Sequence, residues 1–186
     1  MVKKNACIFI SGAGSNLNNL ILRSRDYTFP INIKLVISNN SRAKGLNYAK
    51  KNLIPYKIIN THSRDFEHKL LKDLKRYNIS IICLAGYMRI LSKNFIKKFK
   101  GKILNIHPSL LPKYKGLNTH QRVLNNKEKY SGCTVHFVNA RLDSGKIILQ
   151  KKVKISKKDT EISLAKKILV QEHKLYPKAI LKVFNL

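Results

Sequence analysis

The sequence has no apolar run long enough to cross a bilayer, which takes about 20 residues. Its basic N-terminus is followed by an apolar stretch that covers only residues 6–10 before a glycine-rich turn, and no secretory cleavage pattern follows. Cysteine is scarce, and Cys7, Cys83 and Cys133 each stand alone in apolar or strand-like surroundings. Neither they nor the six histidines have the spacing of a metal site or a redox dithiol. These absences predict a soluble, cytoplasmic protein with reduced core cysteines and no metal.

Acidic residues are few, with nine Asp and Glu against 38 Lys and Arg, for a formal net charge of +29. Such a charge can attract nucleic acid, an acidic membrane surface or small polyanions. The basic residues are spread along the chain beside many Asn and Ile, which have A/T-rich codons, and no docking motif or interleaved aromatic pattern accompanies them. We therefore interpret the charge as compositional drift that also aids solubility. The expected partners are small anionic substrates, rather than nucleic acid or a membrane.

Short apolar runs alternate with segments of helical periodicity through the first half of the chain. The run at 79–85 shows no polar alternation, which is typical of a parallel strand covered on both faces. This order favours a doubly wound α/β sheet, built as one domain over residues 1–186. The predicted strands are 6–10, 33–37, 56–59, 79–85 and 103–106, and the predicted helices begin near Leu17, at Ser41, at Arg64 and at Ser92.

The pattern changes after His107. Segments 131–138 and 147–154 alternate apolar with polar or basic residues, which predicts late, partly antiparallel strands. A short helix is predicted near 119–125. The segment 161–184 indicates a final amphipathic helix, interrupted at Pro177.

Ligands of an open α/β sheet bind at the carboxyl ends of its strands, and four sequence segments are predicted to lie there. The first, GAGSN at 12–16, has glycines for a tight turn and precedes a helix whose free N–H groups suit an anion. It lacks the third glycine of a dinucleotide fingerprint and the lysine of a nucleoside-triphosphate loop. A phosphomonoester is therefore the better candidate ligand, although a purely structural turn explains the same pattern.

The second segment, GYMRIL at 86–91, sets apolar side chains around Arg89 and could line a pocket for a flat heteroaromatic ring. A strand-to-helix turn with Ile90 and Leu91 in the core is an equal alternative.

The third segment begins with Asn105 and His107, which share one side of an extended chain because positions two apart point the same way. Ile106 is expected to face the core, and a proline-locked loop follows. The fourth segment, LDSG at 142–145, is a turn whose Asp143 gains importance only if it meets His107.

Taken together, these segments resemble the glycinamide ribonucleotide formyltransferase family. The matching stretches run in the expected order over essentially the whole chain: SGAGSNL (11–17), LAGYMRIL (84–91), LNIHPSLLPKYKG (104–116), TH (119–120), VHFV (135–138), LDSG (142–145), ILQ (148–150) and QEH..YP (171–177). The resemblance implies a Rossmann-like formyltransferase fold, with a mostly parallel twisted sheet, helices on both faces and late antiparallel strands. One departure is Lys115, which stands where the family usually has proline and is expected to affect only its own loop.

The resemblance also implies 10-formyltetrahydrofolate as formyl donor and the amine of glycinamide ribonucleotide as acceptor, in purine synthesis. It implies that His107 is the catalytic acid, that Asp143 raises its pKa, and that Asn105 serves both chemistry and folate binding. The implied ribonucleotide contacts are Gly14, Ser15, Asn16 and Glu172, and the implied folate contacts are Arg64, Met88, Arg89, Ile90, Leu91 and Asn105.

Other hypotheses stay open at this point. Another folate formyltransferase, such as one that formylates methionyl-tRNA, would use the same centre, but we expect it to carry an added C-terminal RNA-binding domain. A formyltetrahydrofolate hydrolase would also use this centre, but we expect it to carry an N-terminal regulatory region. A basic nucleic-acid-binding module with a vestigial site, and a dinucleotide-dependent oxidoreductase, are alternatives from other classes. The sequence is compatible with a monomer or a homodimer.

Overall fold

The computed structural model describes residues 2–61, 63 and 65–186. Its elements are β1 Lys4–Ile10, α1 Ser15–Ser24, β2 Ile31–Ser38, α2 Leu46–Lys51, β3 Tyr56–Ile58, α3 Phe66–Arg76, β4 Ile81–Leu84, α4 Lys93–Lys98, β5 Lys102–His107, α5 Thr119–Asn125, β6 Tyr130–Phe137, β7 Ile147–Lys154 and α6 Glu161–Val183. The strands form a seven-stranded sheet in the order β3-β2-β1-β4-β5-β6-β7. Strand β1 runs parallel to β2 and β4, and β6 runs antiparallel to β7. The predicted α/β sheet with late antiparallel strands is confirmed.

The chain divides into two compact units, Met1–Leu104 and Asn105–Leu186. The single domain predicted over 1–186 stays a prediction. No helix among the described residues combines the length and the apolar character needed to cross a membrane.

Strand β1 is the buried centre of the first unit. Residues 6–10 have no exposed surface, as expected of an apolar strand with a parallel partner on each side. Because β1 and β4 are parallel neighbours, their carboxyl ends lie at the same edge of the sheet. The loops at 12–16 and 86–91 both begin there, as the sequence predicts.

Two predictions about helices are wrong. Helix α2 begins at Leu46 rather than Ser41, because Asn40 organises a turn there by accepting the Arg42 N–H at its side chain (2.9 Å) and the Ala43 N–H at its carbonyl (3.2 Å). Pro177 does not interrupt α6, which continues from Glu161 to Val183. Pro177 is buried in the face of α6 that packs on β6 and β7, and this packing outweighs the hydrogen bond that the proline cannot donate.

The second unit is built on the β6–β7 hairpin. Its register runs from Tyr130 opposite Lys154 to Val135 opposite Leu149, and it shifts between Val135 and His136. Gly145 lies so close to Phe137 in the connecting turn that a Cβ there would sit 1.6 Å from the Phe137 carbonyl oxygen. This close approach requires glycine and fixes the turn at the end of the hairpin.

Thr134 of β6 holds the loop that follows β5. Its buried hydroxyl donates to the Ser109 carbonyl (2.6 Å) and accepts the Leu111 N–H (3.1 Å). Gln150 of β7 donates to the same hydroxyl (2.9 Å) and to the Leu111 carbonyl (2.8 Å). The hydroxyl thus uses its one proton and both lone pairs, and it ties down the segment that begins directly after His107.

We expect Thr134→Val to lower the free energy of unfolding by about 1–3 kcal/mol, because it keeps the side-chain shape but leaves buried polar partners unsatisfied. Equilibrium unfolding in urea measures the change. Thr134→Ser keeps the hydroxyl and is the matched control, for which we expect a smaller loss. Equal losses in the two variants would contradict the role given to the hydroxyl.

Candidate active site

Strand β5 presents Asn105 and His107 on one side, and both reach Asp143 in the turn after β6. His107 Nδ1 lies 3.3 Å from Asp143 Oδ2, and Asn105 Nδ2 donates to Asp143 Oδ1 over 3.5 Å. Ile106 between them is 6% exposed, in keeping with the predicted core position. The three residues proposed from the sequence for catalysis therefore form one cluster.

Asp143 is held in place by its backbone and by a strong donor. Its φ is 44°, in the left-handed region that aspartate tolerates better than most residues, and its Oδ2 accepts the Gly116 N–H at 2.8 Å. Burial alone raises the pKa of the Asp143 carboxyl, but the nearby His136 ring, the hydrogen bond from the Gly116 N–H and the electrostatic interaction with His107 together lower it below its ordinary value. Asp143 is therefore an ionised carboxylate at neutral pH.

His107 has an oxygen acceptor at each ring nitrogen. Its Nε2 donates to the Tyr114 carbonyl at 2.8 Å, and its Nδ1 faces Asp143. Only the imidazolium can donate to both oxygens. Burial lowers the pKa of His107 below its ordinary value, although the Tyr114 carbonyl and the Asp143 carboxylate both raise it. Asp143 does raise the pKa of His107, as expected, but burial lowers that pKa by more, so the net shift is downward.

Tyr114 is fixed so that its carbonyl faces His107. Its φ is 56°, and its hydroxyl donates to Glu128 Oε1 at 2.9 Å and accepts from Asn126 Nδ2 at 2.9 Å. The Arg122 guanidinium lies 5.4 Å from the centre of the Tyr114 ring. These contacts hold a strained backbone conformation that a free loop would leave.

Lys115 reaches beyond its own loop. Its Nζ donates to Ser144 Oγ at 2.6 Å, and Ser144 directly follows Asp143. The expectation that the lysine at this position affects only its own loop is therefore wrong. The physical reason is its long side chain, which spans to the neighbouring turn where a proline could not.

His136 also belongs to this cluster; it lies in the matching stretch VHFV (135–138), but no role was predicted for it from the sequence. It is 2% exposed, and its Nε2 lies 3.2 Å from Asn105 Nδ2 and 3.6 Å from Asp143 Oδ1. The signal in the sequence was its spacing of two from Thr134 on a predicted strand, the same spacing that pairs Asn105 with His107. Nothing in the sequence showed that β6 lies beside β5 in the sheet.

Glu172 lies on α6 and is 8% exposed. Burial raises the pKa of the Cys133 thiol to about 12, and the nearby Glu172 carboxylate contributes to that rise. The structure thus places Glu172 beside β6, and its contact with the ribonucleotide stays a prediction.

The loop at 12–16 leads directly into α1. Gly14 caps the helix with φ 73°, Ser15 is the first helical residue, and Asn16 is 7% exposed. The backbone of Gly14 packs against Gly45, whose N–H donates to the Gly12 carbonyl at 3.0 Å. The turn presents the first N–H groups of a ten-residue helix, as an anion site requires.

The segment 86–91 is connected to the 12–16 loop through Ser11. The Ser11 hydroxyl donates to Asn39 Oδ1 at 2.5 Å and accepts the Met88 N–H at 2.8 Å, and the Ser11 N–H donates to the Gly86 carbonyl at 3.1 Å. Met88 is 62% and Ile90 73% exposed.

The side chains of 86–91 divide between surface and core. Arg89 is exposed beside Met88 and Ile90, whereas Leu91 is buried. The core alternative was therefore right for Leu91 and wrong for Ile90. Arg64, the remaining predicted folate contact, lies outside the described residues.

Metal ions in proteins are held by groupings of side chains. The described residues contain no cluster of three or more His, Cys, Asp or Glu side chains that could hold a metal ion. The absence of a metal in the reaction stays a prediction.

We expect Gly14→Ala to lower the free energy of unfolding by about 1–2 kcal/mol or more, because the left-handed conformation disfavours a Cβ and that atom would lie 2.4 Å from Gly45 Cα. Gly12→Ala is the matched control in the same loop, since a Cβ there meets nothing within 4 Å. Thermal unfolding of the two variants measures the difference. A control as unstable as Gly14→Ala would contradict the close approach.

We expect Asp143→Asn to lower the pKa of His107 further, because the carboxylate charge that opposes burial is removed. The change is measured by following the His107 ring resonances in an NMR titration. Asp26→Asn removes one charge from a surface turn and is the control, with no expected change. An unchanged or higher His107 pKa in Asp143→Asn would show that the two side chains are not electrostatically coupled.

Known proteins that resemble this chain in sequence and structure are formyltransferases. The family model described as formyl transferase matches residues 4–180. The chain is 42% identical over 183 residues to the phosphoribosylglycinamide formyltransferase of Haemophilus influenzae, covering 95% of this chain and 85% of that protein. It matches the crystal structure of phosphoribosylglycinamide formyltransferase from Brucella melitensis with a TM-score of 0.91 and 43% identity, over 98% of this chain and 95% of that one.

A longer relative matches as well. The chain is 42% identical over 189 residues to the human trifunctional purine biosynthetic protein adenosine-3, a match that covers 96% of this chain. The chain spans 18% of the length of that relative. The matches cover nearly all of this sequence, the fold is shared, and Asn105, His107 and Asp143 form one cluster. This chain therefore belongs to the formyl transferase family.

Proposed function

We propose that this chain transfers the formyl group of 10-formyltetrahydrofolate to the amine of glycinamide ribonucleotide. The products are formylglycinamide ribonucleotide and tetrahydrofolate, in de novo purine synthesis. The observation that carries the proposal is the cluster of Asn105, His107 and Asp143, in which one amide and one imidazole are held by one buried carboxylate. Similarity to phosphoribosylglycinamide formyltransferases supports the choice of acceptor.

Formyl transfer to an amine builds negative charge on the formyl oxygen while the amine attacks the formyl carbon. The protein must therefore direct N–H donors at that oxygen. Asn105 carries two amide protons, and His107 in its protonated form carries two ring protons. The proton on His107 Nε2, which the Tyr114 carbonyl accepts in this structure, must turn to the substrate for this role. These are the two donor groups that we assign to the oxygen.

Asp143 makes the protonated form of His107 more accessible. Burial favours the neutral ring, and the carboxylate opposes that effect at 3.3 Å. The attacking amine loses one proton as the new C–N bond forms, and the folate nitrogen gains one as its bond to the formyl carbon breaks. His107 can give a proton to the leaving nitrogen, directly or through water, as a general acid, and it is recharged by the proton that the amine loses. The transfer needs no covalent intermediate on the protein, and we propose that it is direct.

The loop at 12–16 fits the phosphate of the acceptor. We assign Gly14, Ser15 and Asn16 to this group because the N-terminus of α1 offers free N–H groups and a positive dipole end. Glu172 is assigned to the acceptor side on the family resemblance alone.

The segment 86–91 fits the folate. The exposed side chains of Met88 and Ile90 offer apolar surface to a flat ring, and the exposed Arg89 offers a cation to a carboxylate. We assign Leu91, Arg64 and Asn105 to the same ligand on the resemblance. The small anionic partners, the cytoplasmic location and the state as monomer or homodimer, all inferred from the sequence, are part of this proposal.

We expect purified protein to consume 10-formyltetrahydrofolate only when glycinamide ribonucleotide is present, as followed by the absorbance change of the folate. His107→Ala should reduce kcat by about 10²–10⁴-fold, because it removes both a donor and the general acid. Asp143→Asn should also reduce kcat, whereas Asp26→Asn, a surface-turn control, should keep full activity.

Three results would contradict the proposal. Folate deformylation without the acceptor would indicate a hydrolase. Formyl label retained on the denatured protein would exclude direct transfer. Salt-dependent retention on DNA or RNA without any formyl transfer would favour the basic-module alternative.

A further inference from the structure

We propose that His136 is a positioning residue that sets the orientation of the Asn105 amide through its Nε2 atom. Its effect on catalysis rests on the proposed function, whereas its contact with Asn105 does not. His136 lies on β6, where the register with β7 shifts between Val135 and His136. Such shifts re-aim a side chain, and they are common beside active sites.

The tautomer of His136 follows from its neighbours. Nδ1 lies 2.8 Å from the Phe137 carbonyl oxygen, which can only accept a hydrogen bond. Nδ1 must therefore carry a proton. In the neutral ring the other nitrogen, Nε2, is then a bare acceptor.

This bare acceptor selects one end of the Asn105 amide. Nε2 lies 3.2 Å from Asn105 Nδ2, a good distance for donation from the amide to the ring. With the amide turned over, its oxygen would face Nε2, and two acceptors would repel each other. The contact therefore holds the NH₂ end toward His136 and leaves the second amide proton of Asn105 for another acceptor.

That second proton is the one the reaction needs. A reversed amide would present an oxygen, rather than a donor, to the negative charge that develops on the formyl oxygen. In this structure the second proton faces Asp143 Oδ1, but a distance of 3.5 Å makes this a weak hydrogen bond that the formyl oxygen can replace. Asp143 Oδ1 lies 3.6 Å from His136 Nε2, beyond hydrogen-bond distance, so the Asn105 amide at 3.2 Å is the closer partner of that ring nitrogen. His136 is 2% exposed, so water does not compete for its Nε2.

Two substitutions separate the two nitrogens of the ring. Glutamine places its terminal amide near the Nε2 position and can still accept from Asn105. Asparagine reaches only the Nδ1 position and keeps at most the contact with Phe137. We expect His136→Asn to lower kcat by about 10–100-fold with little change in the KM for the ribonucleotide, and His136→Gln to restore most of the loss.

A double-mutant cycle tests whether the effect passes through Asn105. In an Asn105→Ala background, His136→Asn should cause no further loss of kcat, because the group it positions is gone. Full additivity of the two losses would overturn the proposal. So would equal loss of kcat in the Gln and Asn variants.

A measurement on the unsubstituted protein needs neither turnover nor a stable variant. Long-range ¹H–¹⁵N NMR spectra report which nitrogen of each neutral histidine is protonated, and we expect His136 to carry its proton on Nδ1. A proton on Nε2 would overturn the inference even if formyl transfer is confirmed. Conversely, absence of formyl transfer in the unsubstituted protein, with the expected tautomer, would remove the proposed function and keep the contact.

Discussion

The buried carboxylate of Asp143 is the group on which the catalytic cluster depends. One oxygen accepts the Gly116 N–H and faces His107, and the other faces Asn105 and His136. Its backbone is left-handed, and the turn that carries it is fixed by the close packing of Gly145 on Phe137. Burial by itself disfavours both a charged histidine and a charged carboxylate. Asp143 stays ionised because the His136 ring, the Gly116 N–H and His107 all favour its charge, and the carboxylate in turn offsets part of the effect of burial on His107.

Local sequence pattern was enough to predict the order of the helices and strands, although not the start of α2 or the continuity of α6, and it could not predict which distant side chains meet. The spacing of two between Asn105 and His107 gave their common side, because alternation along a strand is a local property. The contact of Asp143 with His107 joins distant segments, so no spacing rule could establish it. His136 escaped notice because its role depends on a shift in strand register and on which strand lies beside β6. Pro177 shows the same limit, since buried packing overrode a local helix-breaking preference.

Several of the nine acidic residues of this chain, whose formal net charge is +29, make specific contacts within the fold. Glu67 accepts the N–H and hydroxyl of Ser92, the residue that caps α4. Asp159 accepts from the Ser156 N–H and from Lys167, and several hydrogen bonds and charges lower its pKa to about 2. Acidic residues without such contacts can be exchanged for lysine or asparagine at little cost to the fold, because isolated surface charges contribute little to stability.

A double-mutant cycle on kcat between His107 and Asp143 tests most directly whether the carboxylate acts through the histidine. The single variants His107→Ala and Asp143→Asn are compared with the double variant in the formyl-transfer assay. We predict strong non-additivity, with Asp143→Asn causing little further loss once His107 is absent, because residues that act as a unit are lost together. Fully additive losses would contradict this, since they would mean that Asp143 contributes to the reaction independently of His107.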